Sequence, residues 1–376
     1  MENGGELRKL DSIEDALLDI SAGKLVIVVD DEDRENEGDF IVAAERVTPE
    51  TINFMSKRGR GLICVAVTDE TCQQLDLEMM VVNNTDPHKT AFTVSIDLLG
   101  HGCTTGISAQ DRSKTIQALV TPGFKPSDFA RPGHIFPLKA KSGGVLRRTG
   151  HTEAAVDLAR LAGLAPAGAI VEIMNDDGTM ARLPQLIEIA AQFDLKLISI
   201  RDLIAYRLTK ETLIEEVASH NISTAYGDFR LVGFRQTIEQ KEYVALVKGV
   251  WNDDESIPVR VHSSNMLDDI FNLRKDSQGS QLEAALQLIE REGKGVLVYI
   301  NRMGAHGGLL SDMQQLLSTG EHASHAMDNR DFGIGAQILR AVGVRRMRII
   351  TNHPEHRRAG LDAYGLEITD TVALHI

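Results

Sequence analysis

Apolar residues follow two alternating patterns along the chain. Short runs rich in Val and Ile are typical of strands, and apolar positions three or four residues apart indicate amphipathic helices. The predicted strands cover residues 25–29, 40–44, 61–68, 169–174, 196–199, 295–300 and 346–351. The predicted helices cover residues 13–21, 152–162, 183–193, 280–292 and 335–342. Because strands and helices alternate without an internal repeat, we expect an α/β (α+β) fold with mixed layers.

A polar stretch over residues 205–217 interrupts this alternation. A chain of 376 residues, 43% of them hydrophobic, is long enough for two domains with ordinary buried cores. We therefore predict a first domain over residues 1–208 and a second domain over residues 209–376.

Charge and composition narrow the choice of partners. The net charge of −14 and an isoelectric point near 5.3 argue against nucleic acid or an anionic membrane as the main partner. No run approaches the ~20 apolar residues of a membrane helix, and residues 1–10 lack a signal-peptide core, so we expect a cytoplasmic protein. Cys64, Cys72 and Cys103 show no C-x-x-C spacing, which favours free thiols.

An acidic segment connects the first two predicted strands. Residues 30–39 read Asp-Asp-Glu-Asp-Arg-Glu-Asn-Glu-Gly-Asp, with seven carboxylates in ten positions. An EF-hand loop is excluded because its twelfth position would be Ala44 instead of Glu. A solvated acidic turn remains possible, but hard cations prefer oxygen ligands, so the segment is a candidate Mg²⁺ site with Arg34 beside an anionic group. We expect Asp30 to line the solvated start of this loop and Gly38 to supply a positive φ.

Two residues elsewhere are candidates for proton transfer. His134 lies between Pro132 and Pro137, which predict a stiff, irregular loop around the imidazole. Glu172 lies in an apolar strand just before a turn signal, where a carboxylate is costly unless it has a role. A plain surface His and a hydrogen-bonded structural Glu are the competing explanations.

The start of the second predicted helix is a candidate anion site. Arg148, Thr149, Gly150 and His151 precede or open the helix, and free N–H groups there favour phosphate. Simple capping by Thr152 is the alternative explanation.

Five motifs, in this order, resemble those of 3,4-dihydroxy-2-butanone 4-phosphate synthase of riboflavin biosynthesis. They are the acidic segment 30–39, Asn-Asn-Thr at 83–85, Thr-Thr-Gly-Ile-Ser-Ala at 104–109, Arg-Pro-Gly-His-Ile-Phe-Pro-Leu at 131–138 and Gly-His-Thr-Glu-Ala at 150–154. The resemblance extends from about Ile13 to Tyr206. It implies a three-layer α/β domain that forms a homodimer with active sites near the subunit interface.

The resemblance also implies a reaction and the residues that carry it. Ribulose 5-phosphate would be converted to the four-carbon phosphate and formate, with Mg²⁺ or Mn²⁺ acting as a Lewis acid. The implied metal ligands are Glu35 and His151, with Glu37 at a second metal, and the implied acid–base residues are His134 and Glu172. The implied substrate-binding residues are Arg34, Glu35, Asp39, Cys64, Thr105, Arg148, Thr149, Gly150, His151, Thr152 and Glu172.

The rest of the chain, from about Leu208 to Ile376, resembles GTP cyclohydrolase II in segments 262–263, 281–286, 295–299 and 330–339. Where that family has three zinc cysteines, this chain has Asn265, Asp276 and Gln278, and its Arg- and Gly-rich catalytic stretch is replaced by residues 301–306. Asp328 and Arg330 keep their residue types. We predict no zinc and no cyclohydrolase activity. A metal site rebuilt from His and Asp, which would make the enzyme bifunctional, and a regulatory nucleotide-binding domain remain as alternatives.

Overall fold

The chain folds into two compact units, Met1–Arg207 and Leu208–Ile376. The computed structural model describes residues 10–32, 34–88, 90–238, 240–264, 269, 281–300, 329–351, 361 and 364–374, with the backbone alone for 329–332. Each unit is built on its own seven-stranded sheet. Among the described residues, no helix combines the length and the apolar character needed to span a membrane.

The first unit contains a mixed sheet. Its strands are β1 (Val26–Val29), β2 (Gly38–Ala43), β3 (Cys64–Val67), β4 (Ile96–Leu98), β5 (Phe129–Lys139), β6 (Gly168–Glu172) and β7 (Lys196–Ser199). They lie in the order β4-β5-β3-β6-β2-β1-β7. The pairs β1–β7 and β3–β5 are parallel, and the other pairs are antiparallel. The acidic segment connects β1 to β2, and β2 lies next to β6, which ends at Glu172.

Helices cover both faces of this sheet. They are α1 (Ile13–Ser21), α2 (Pro49–Phe54), α3 (Asp69–Gln74), α4 (Ala109–Ala118), α5 (His151–Leu161), α6 (Leu183–Phe193) and α7 (Ile200–Lys210). Alternate strand residues face opposite layers: Val26 and Val28 pack with α1, α5 and α7, whereas Ile27 and Val29 belong to the core with α2, α3, α4 and α6. Fully burying each such side chain contributes roughly 1.5–3 kcal/mol to folding. The predicted three-layer α/β architecture is confirmed.

Residues 131–137 are not the irregular loop that the prolines predicted. They belong to β5, which pairs with β3 on one side and with β4 on the other. Ile96 of β4 is opposite Ile135, and the next residue, Asp97, is opposite Ala130, so residues 131–134 bulge out of the strand. The bulge absorbs the Pro and Gly residues that suggested a loop.

The second unit also combines a mixed sheet with helices. Its strands are β8 (Ile214–Thr224), β9 (Gly227–Gln236), β10 (Glu242–Lys248), β11 (Ser256–Ser263), β12 (Gly295–Ile300), β13 (Arg346–Ile350) and β14 (Glu367–Val372). They lie in the order β14-β13-β11-β12-β10-β9-β8. The described helices are Gln281–Glu292 and Asn329–Ala341. The second of these begins six residues before the predicted start at 335.

The polar stretch 205–217 is not an open linker. Helix α7 continues to Lys210 and β8 begins at Ile214, so three residues separate them. The predicted zinc-cysteine replacements Asn265, Asp276 and Gln278, the segment 301–306, Asp328 and the side chain of Arg330 lie outside the described residues.

Candidate active site

Asp30 organises the acidic loop between β1 and β2. Its side chain is fully buried and accepts hydrogen bonds from the backbone N–H of Glu35 (3.1 Å) and of Glu37 (2.8 Å). The guanidinium of Arg34 donates to the same carboxylate at 2.9 Å. The expectation that Asp30 lines a solvated loop start was wrong, because these bonds draw its carboxylate inside the loop.

Gly38 is required for packing and not for a positive φ. It lies in β2, and a Cβ at this position would be 2.5 Å from Cδ1 of Leu186 on α6. The residue of the loop that adopts a left-handed conformation is Asn36, at φ 55°, a region that Asn tolerates better than most residues. Sequence reasoning therefore chose the wrong residue for the turn.

His151 and several carboxylates converge beside this loop. His151 is buried at the first position of α5, and its Nδ1 lies 3.7 Å from Oε2 of Glu35 and 4.0 Å from Oδ1 of Asp39. Its Nε2 is 3.1 Å from the carbonyl oxygen of Val28, which can only accept a hydrogen bond. This bond directs Nδ1 toward the acids. Ligand atoms of Asp30, Glu35 and His151 all lie within 4.8 Å of one another, which no other group of three or more acidic, His or Cys side chains in the described ranges achieves.

The electrostatics of the cluster reflect an excess of negative charge. Burial raises the pKa of Asp39 to about 7, and the nearby charges of Glu172 and Glu35 add to the rise despite His151. Burial and the charge of Glu35 also raise the pKa of Glu37. Burial lowers the pKa of His151, but Asp39 and Glu35 outweigh it and raise that pKa to about 9. Burial likewise raises the pKa of Glu35, yet its contacts with His151 and Arg34 bring it down to about 2. The positive groups next to these acids are the guanidinium of Arg34, 2.9 Å from both Asp30 and Glu35, and the imidazole of His151.

Glu172 and Cys64 border the same cluster. Glu172 is in register with Asp39 across the β2–β6 pair, and its Oε2 accepts a hydrogen bond from the backbone N–H of Leu62 at 2.9 Å. Glu172 is half-buried, less enclosed than its apolar strand suggested. Gly61 lies against this carboxylate so closely that a side chain there would collide with it. Burial, together with the charges of Glu172 and Asp39, raises the pKa of the Cys64 thiol, which is therefore neutral.

Arg148 lies at the start of α5 and is held by a buried acid. Its Nη1 donates to Oε2 of Glu153 at 2.7 Å, and its Nη2 donates to the carbonyl oxygen of His88 at 3.1 Å. Gly150 is the N-cap residue of α5, and no side chain caps the helix. Capping by Thr152 was therefore wrong: Thr152 is buried within the first turn.

Arg148 and the start of α5 lie next to the acidic cluster. His88, whose carbonyl oxygen binds Arg148, has its Nδ1 3.9 Å from Oε1 of Glu35. Thr149 is half-buried just before the helix. The first residue of α5 is thus part of the acidic cluster, and Arg148 precedes it by three residues, so a helix N-terminus and a guanidinium, which both favour an anion, lie near the carboxylates.

His134 and Thr105 are not in contact with this cluster within the part of the chain that the structure describes. β3 separates the strands of His134 and Glu172, so those strands are about 10 Å apart. His134 instead contacts Asp97, its Nδ1 lying 2.6 Å from Oδ2. Thr105 is exposed, in a loop whose neighbouring N–H groups donate to the carboxylate of Asp111.

Sequence reasoning missed four residues that hold the predicted ones in place. Asp30 and Asp97 follow or lie in short apolar strands, a position that could have signalled a role. Glu153 directly follows the predicted anion site. Arg182, whose Nη1 donates to the carbonyl oxygen of Glu35 at 2.9 Å, is remote in sequence and had no local signal.

Comparison with known proteins gives an assignment for both units. The family model of 3,4-dihydroxy-2-butanone 4-phosphate synthase matches residues 14–206, and that of GTP cyclohydrolase II matches residues 215–373. Proteins named riboflavin biosynthesis protein RibBA from Cytophaga hutchinsonii and Parabacteroides distasonis are 56% and 54% identical to this chain, over 98% of it and 93% of each relative.

Solved structures agree with these matches. RibBX, a two-domain 3,4-dihydroxy-2-butanone 4-phosphate synthase from A. baumannii, has a TM-score of 0.79 and 41% identity, covering 96% of this chain and 100% of that chain. A 3,4-dihydroxy-2-butanone 4-phosphate synthase in complex with two magnesium ions has a TM-score of 0.52 and 44% identity, covering 54% of this chain and 98% of that chain. The chain thus belongs to the 3,4-dihydroxy-2-butanone 4-phosphate synthase family of riboflavin biosynthesis and carries that synthase activity, with a second domain of the GTP cyclohydrolase II family.

Proposed function

We propose that the first unit converts ribulose 5-phosphate to 3,4-dihydroxy-2-butanone 4-phosphate and formate in a reaction that depends on Mg²⁺. One observation carries the proposal: ligand atoms of Asp30, Glu35 and His151 lie within 4.8 Å of one another, with Asp39 beside His151 and with Asp30 bonded to the backbone of Glu35. The donor set is rich in oxygen and suits a hard cation. The similar synthase in complex with two magnesium ions supports the same metal.

The positions of the acidic side chains and of His151 support a role toward the metal for each of them. Glu35 and His151 would hold one ion, and Glu37 would serve a second. The bond from Nε2 of His151 to Val28 leaves Nδ1 as the coordinating atom, the arrangement usual for a metal-binding His. When bound, Mg²⁺ supplies Lewis-acid stabilisation of negative charge on substrate oxygens, a role that Mn²⁺ can also fill.

The other residues of the site bind and act on the substrate. Arg148 and the residues Thr149–Thr152 at the start of α5 would hold the phosphate, since a guanidinium and a helix N-terminus both favour an anion. Arg34 and Asp39 would contact the sugar hydroxyls, with Cys64 and Thr105 as neighbours. His134 and Glu172 would move protons, because each presents a partly accessible acid–base group.

We also propose that the active protein is a homodimer through its first unit. Several segments of the first unit leave large apolar side chains uncovered, which is typical of an interface. At 37% to 108% of full exposure, they are Leu62, Met79, Met80, Val81, Val82, Leu99 and Ile107. Light scattering coupled to size-exclusion chromatography should give twice the chain mass of 41.2 kDa, and a monomer would contradict this proposal.

The second unit is proposed to be inactive as a cyclohydrolase. No cysteine follows Cys103, and Asn265 and Gln278 are poor zinc ligands in place of thiolates. RibBX of A. baumannii, which matches almost the whole chain, is a two-domain 3,4-dihydroxy-2-butanone 4-phosphate synthase. A rebuilt cyclohydrolase site and a regulatory nucleotide-binding domain are the alternatives.

The central experiment measures formate release from ribulose 5-phosphate by the full chain. We expect activity with Mg²⁺, its loss after treatment with EDTA, and its recovery with Mg²⁺ or Mn²⁺. Formate release that persists in rigorously metal-free protein would disprove the metal requirement.

Arg148→Ala should weaken substrate binding about 10–100-fold in calorimetry, since bonds to charged groups contribute about 1.5–3 kcal/mol. The exposed neighbour Arg147 provides the control, Arg147→Ala.

The same full-length preparation tests the second unit. Incubated with GTP alone it should release no formate, and elemental analysis should find no stoichiometric zinc. One zinc per chain together with formate from GTP would make the enzyme bifunctional. GTP binding without turnover, seen by calorimetry, would favour the regulatory alternative.

A further inference from the structure

Asp97 holds the imidazole of His134 through both carboxylate oxygens. Oδ2 lies 2.6 Å from Nδ1 of the ring, and Oδ1 accepts the backbone N–H of His134 at 2.9 Å. The Asp97 side chain is 13% exposed, whereas that of His134 is 44% exposed. One edge of the ring is therefore fixed against the protein, and the other edge, with Nε2, is accessible.

The surrounding backbone fixes this pair in position. The bulge of β5 is fastened to the segment before β4 by a hydrogen bond from the N–H of Gly133 to Oγ of Ser95 at 3.1 Å. Gly133 lies so close to the backbone of β4 that no side chain fits between them. The residues next to His134 and Asp97 are thus held together by a hydrogen bond to Ser95 and by close packing of the two backbones.

A second loop is shaped to accommodate the Asp97 carboxylate. Gly106, at φ 89°, lies directly against the Asp97 carboxylate, and a Cβ on Gly106 would overlap it. The buried Asp111 holds this loop by accepting the N–H groups of Thr104 (3.0 Å) and Gly106 (3.1 Å). Because Gly106 has no side chain, this loop leaves room for the Asp97 carboxylate beside His134.

We infer that Asp97 is a positioning residue for the synthase reaction, which acts by fixing the tautomer of His134. A carboxylate can only accept, so Nδ1 carries the proton and Nε2 presents its lone pair to the substrate. The same carboxylate stabilises the imidazolium once Nε2 has taken up a proton. The inference rests on the proposed proton-transfer role of His134.

Two substitutions separate this role from a structural one. Asp97→Asn keeps the shape but offers an amide donor to Nδ1, which favours the opposite tautomer, whereas Asp97→Ser removes the carboxylate without adding that donor. We expect Asp97→Asn to lower kcat by ~10²–10³-fold with KM nearly unchanged, and to be less active than Asp97→Ser although it is closer in shape. Nitrogen NMR of labelled histidine should show the proton moving from Nδ1 to Nε2 in Asp97→Asn.

The control is Asp128→Asn, which removes a carboxylate that caps the backbone N–H of Lys125 in the segment before β5. It should leave kcat within twofold of the parent protein. The thermal midpoint of each variant is measured, so that a loss of kcat can be told from a loss of stability. The double variant of Asp97→Asn with His134→Ala should be no less active than His134→Ala alone.

Each other outcome has a distinct meaning. If His134→Ala is inactive but Asp97→Asn turns over normally, the positioning role is wrong while the proposed role of His134 stands. If His134→Ala keeps full activity, the proposed role of His134 fails and the inference fails with it. A double variant far less active than His134→Ala would show that Asp97 acts independently of the imidazole, and this would also overturn the inference.

Discussion

The two units surround a buried imidazole in opposite ways. In the first unit His151 lies among carboxylates that outnumber the nearby cations, and their burial raises the pKa of Asp39 to about 7. In the described part of the second unit, Nε2 of His262 lies 2.8 Å from Oδ1 of Asp269, and its ring stacks on Tyr299. The described part of the second unit thus places one carboxylate against its imidazole, whereas the first unit places Asp30, Glu35 and Asp39 around His151. The density of acids around a buried His, and not the His alone, therefore marks the candidate metal site.

The largest effect should come from removing one acidic charge from the cluster around His151. Glu35→Gln removes a ligand charge next to His151, and we expect a loss of ~10³–10⁴-fold in formate release because a Lewis-acid metal supplies several kcal/mol. Mg²⁺ affinity, measured by calorimetry, should fall in parallel. The control is Asp31→Asn in the same loop, where the exposed carboxylate pairs with Arg201 at 2.6 Å. Equal losses in both variants would mean that the loop acts through its bulk charge.

A smaller effect should follow from Glu172→Gln. Glutamine can still accept the N–H of Leu62, so the strand end should keep its shape while the proton acceptor is lost. We expect kcat to fall by ~10²–10³-fold with substrate binding retained. Glu45→Gln, at a carboxylate that accepts the N–H of Ala165 at 3.1 Å outside the cluster, is the matched control. Loss of substrate affinity with normal kcat would assign Glu172 to binding.

Asp30→Asn should have a moderate effect. An amide can accept only part of the three hydrogen bonds that the buried carboxylate accepts, so the backbone of the proposed ligands Glu35 and Glu37 loses support. We expect a 10–100-fold loss of activity, about the size of other outer-shell changes, and a loss of about 1–3 kcal/mol in unfolding free energy. Denaturation with urea measures the second quantity. A variant as stable and active as the parent would show that the loop forms without Asp30.

The smallest effect is expected in the second unit. Asp269→Asn weakens the buried hydrogen bond between Asp269 and His262, so the unfolding free energy should fall by about 1–3 kcal/mol. Formate release from ribulose 5-phosphate should stay within twofold, since no role in the synthase site is assigned to this pair. A tenfold loss of synthase activity would contradict this expectation and show that the second unit influences the first.

The positions of the strands and helices could be predicted from the sequence better than the side-chain pairs between residues that are remote in the chain. Strand and helix positions followed from apolar spacing, because burial on one side of an element repeats with a fixed period. The acidic segment was also singled out, since charge density is visible locally, whereas a metal-binding role for His151 was implied only by the family resemblance. The pairs His134–Asp97 and Arg182–Glu35 were not, because each joins residues far apart in the chain. Proline at 132 and 137 suggested a loop where long-range pairing imposed a bulged strand.

The hydrogen bonds that Asp30 accepts from the loop backbone reduce the conformational entropy that the protein must lose when it binds a cation. Fixing each backbone residue costs roughly 1–2 kcal/mol of conformational entropy, and Asp30 already holds the backbone of Glu35 and Glu37 in the folded protein. Cation binding then has little further ordering to accomplish, so the ion can exchange while the loop stays intact. The amide protons of Glu35 and Glu37, both bonded to Asp30, should accordingly exchange slowly with deuterium even after the metal has been stripped away.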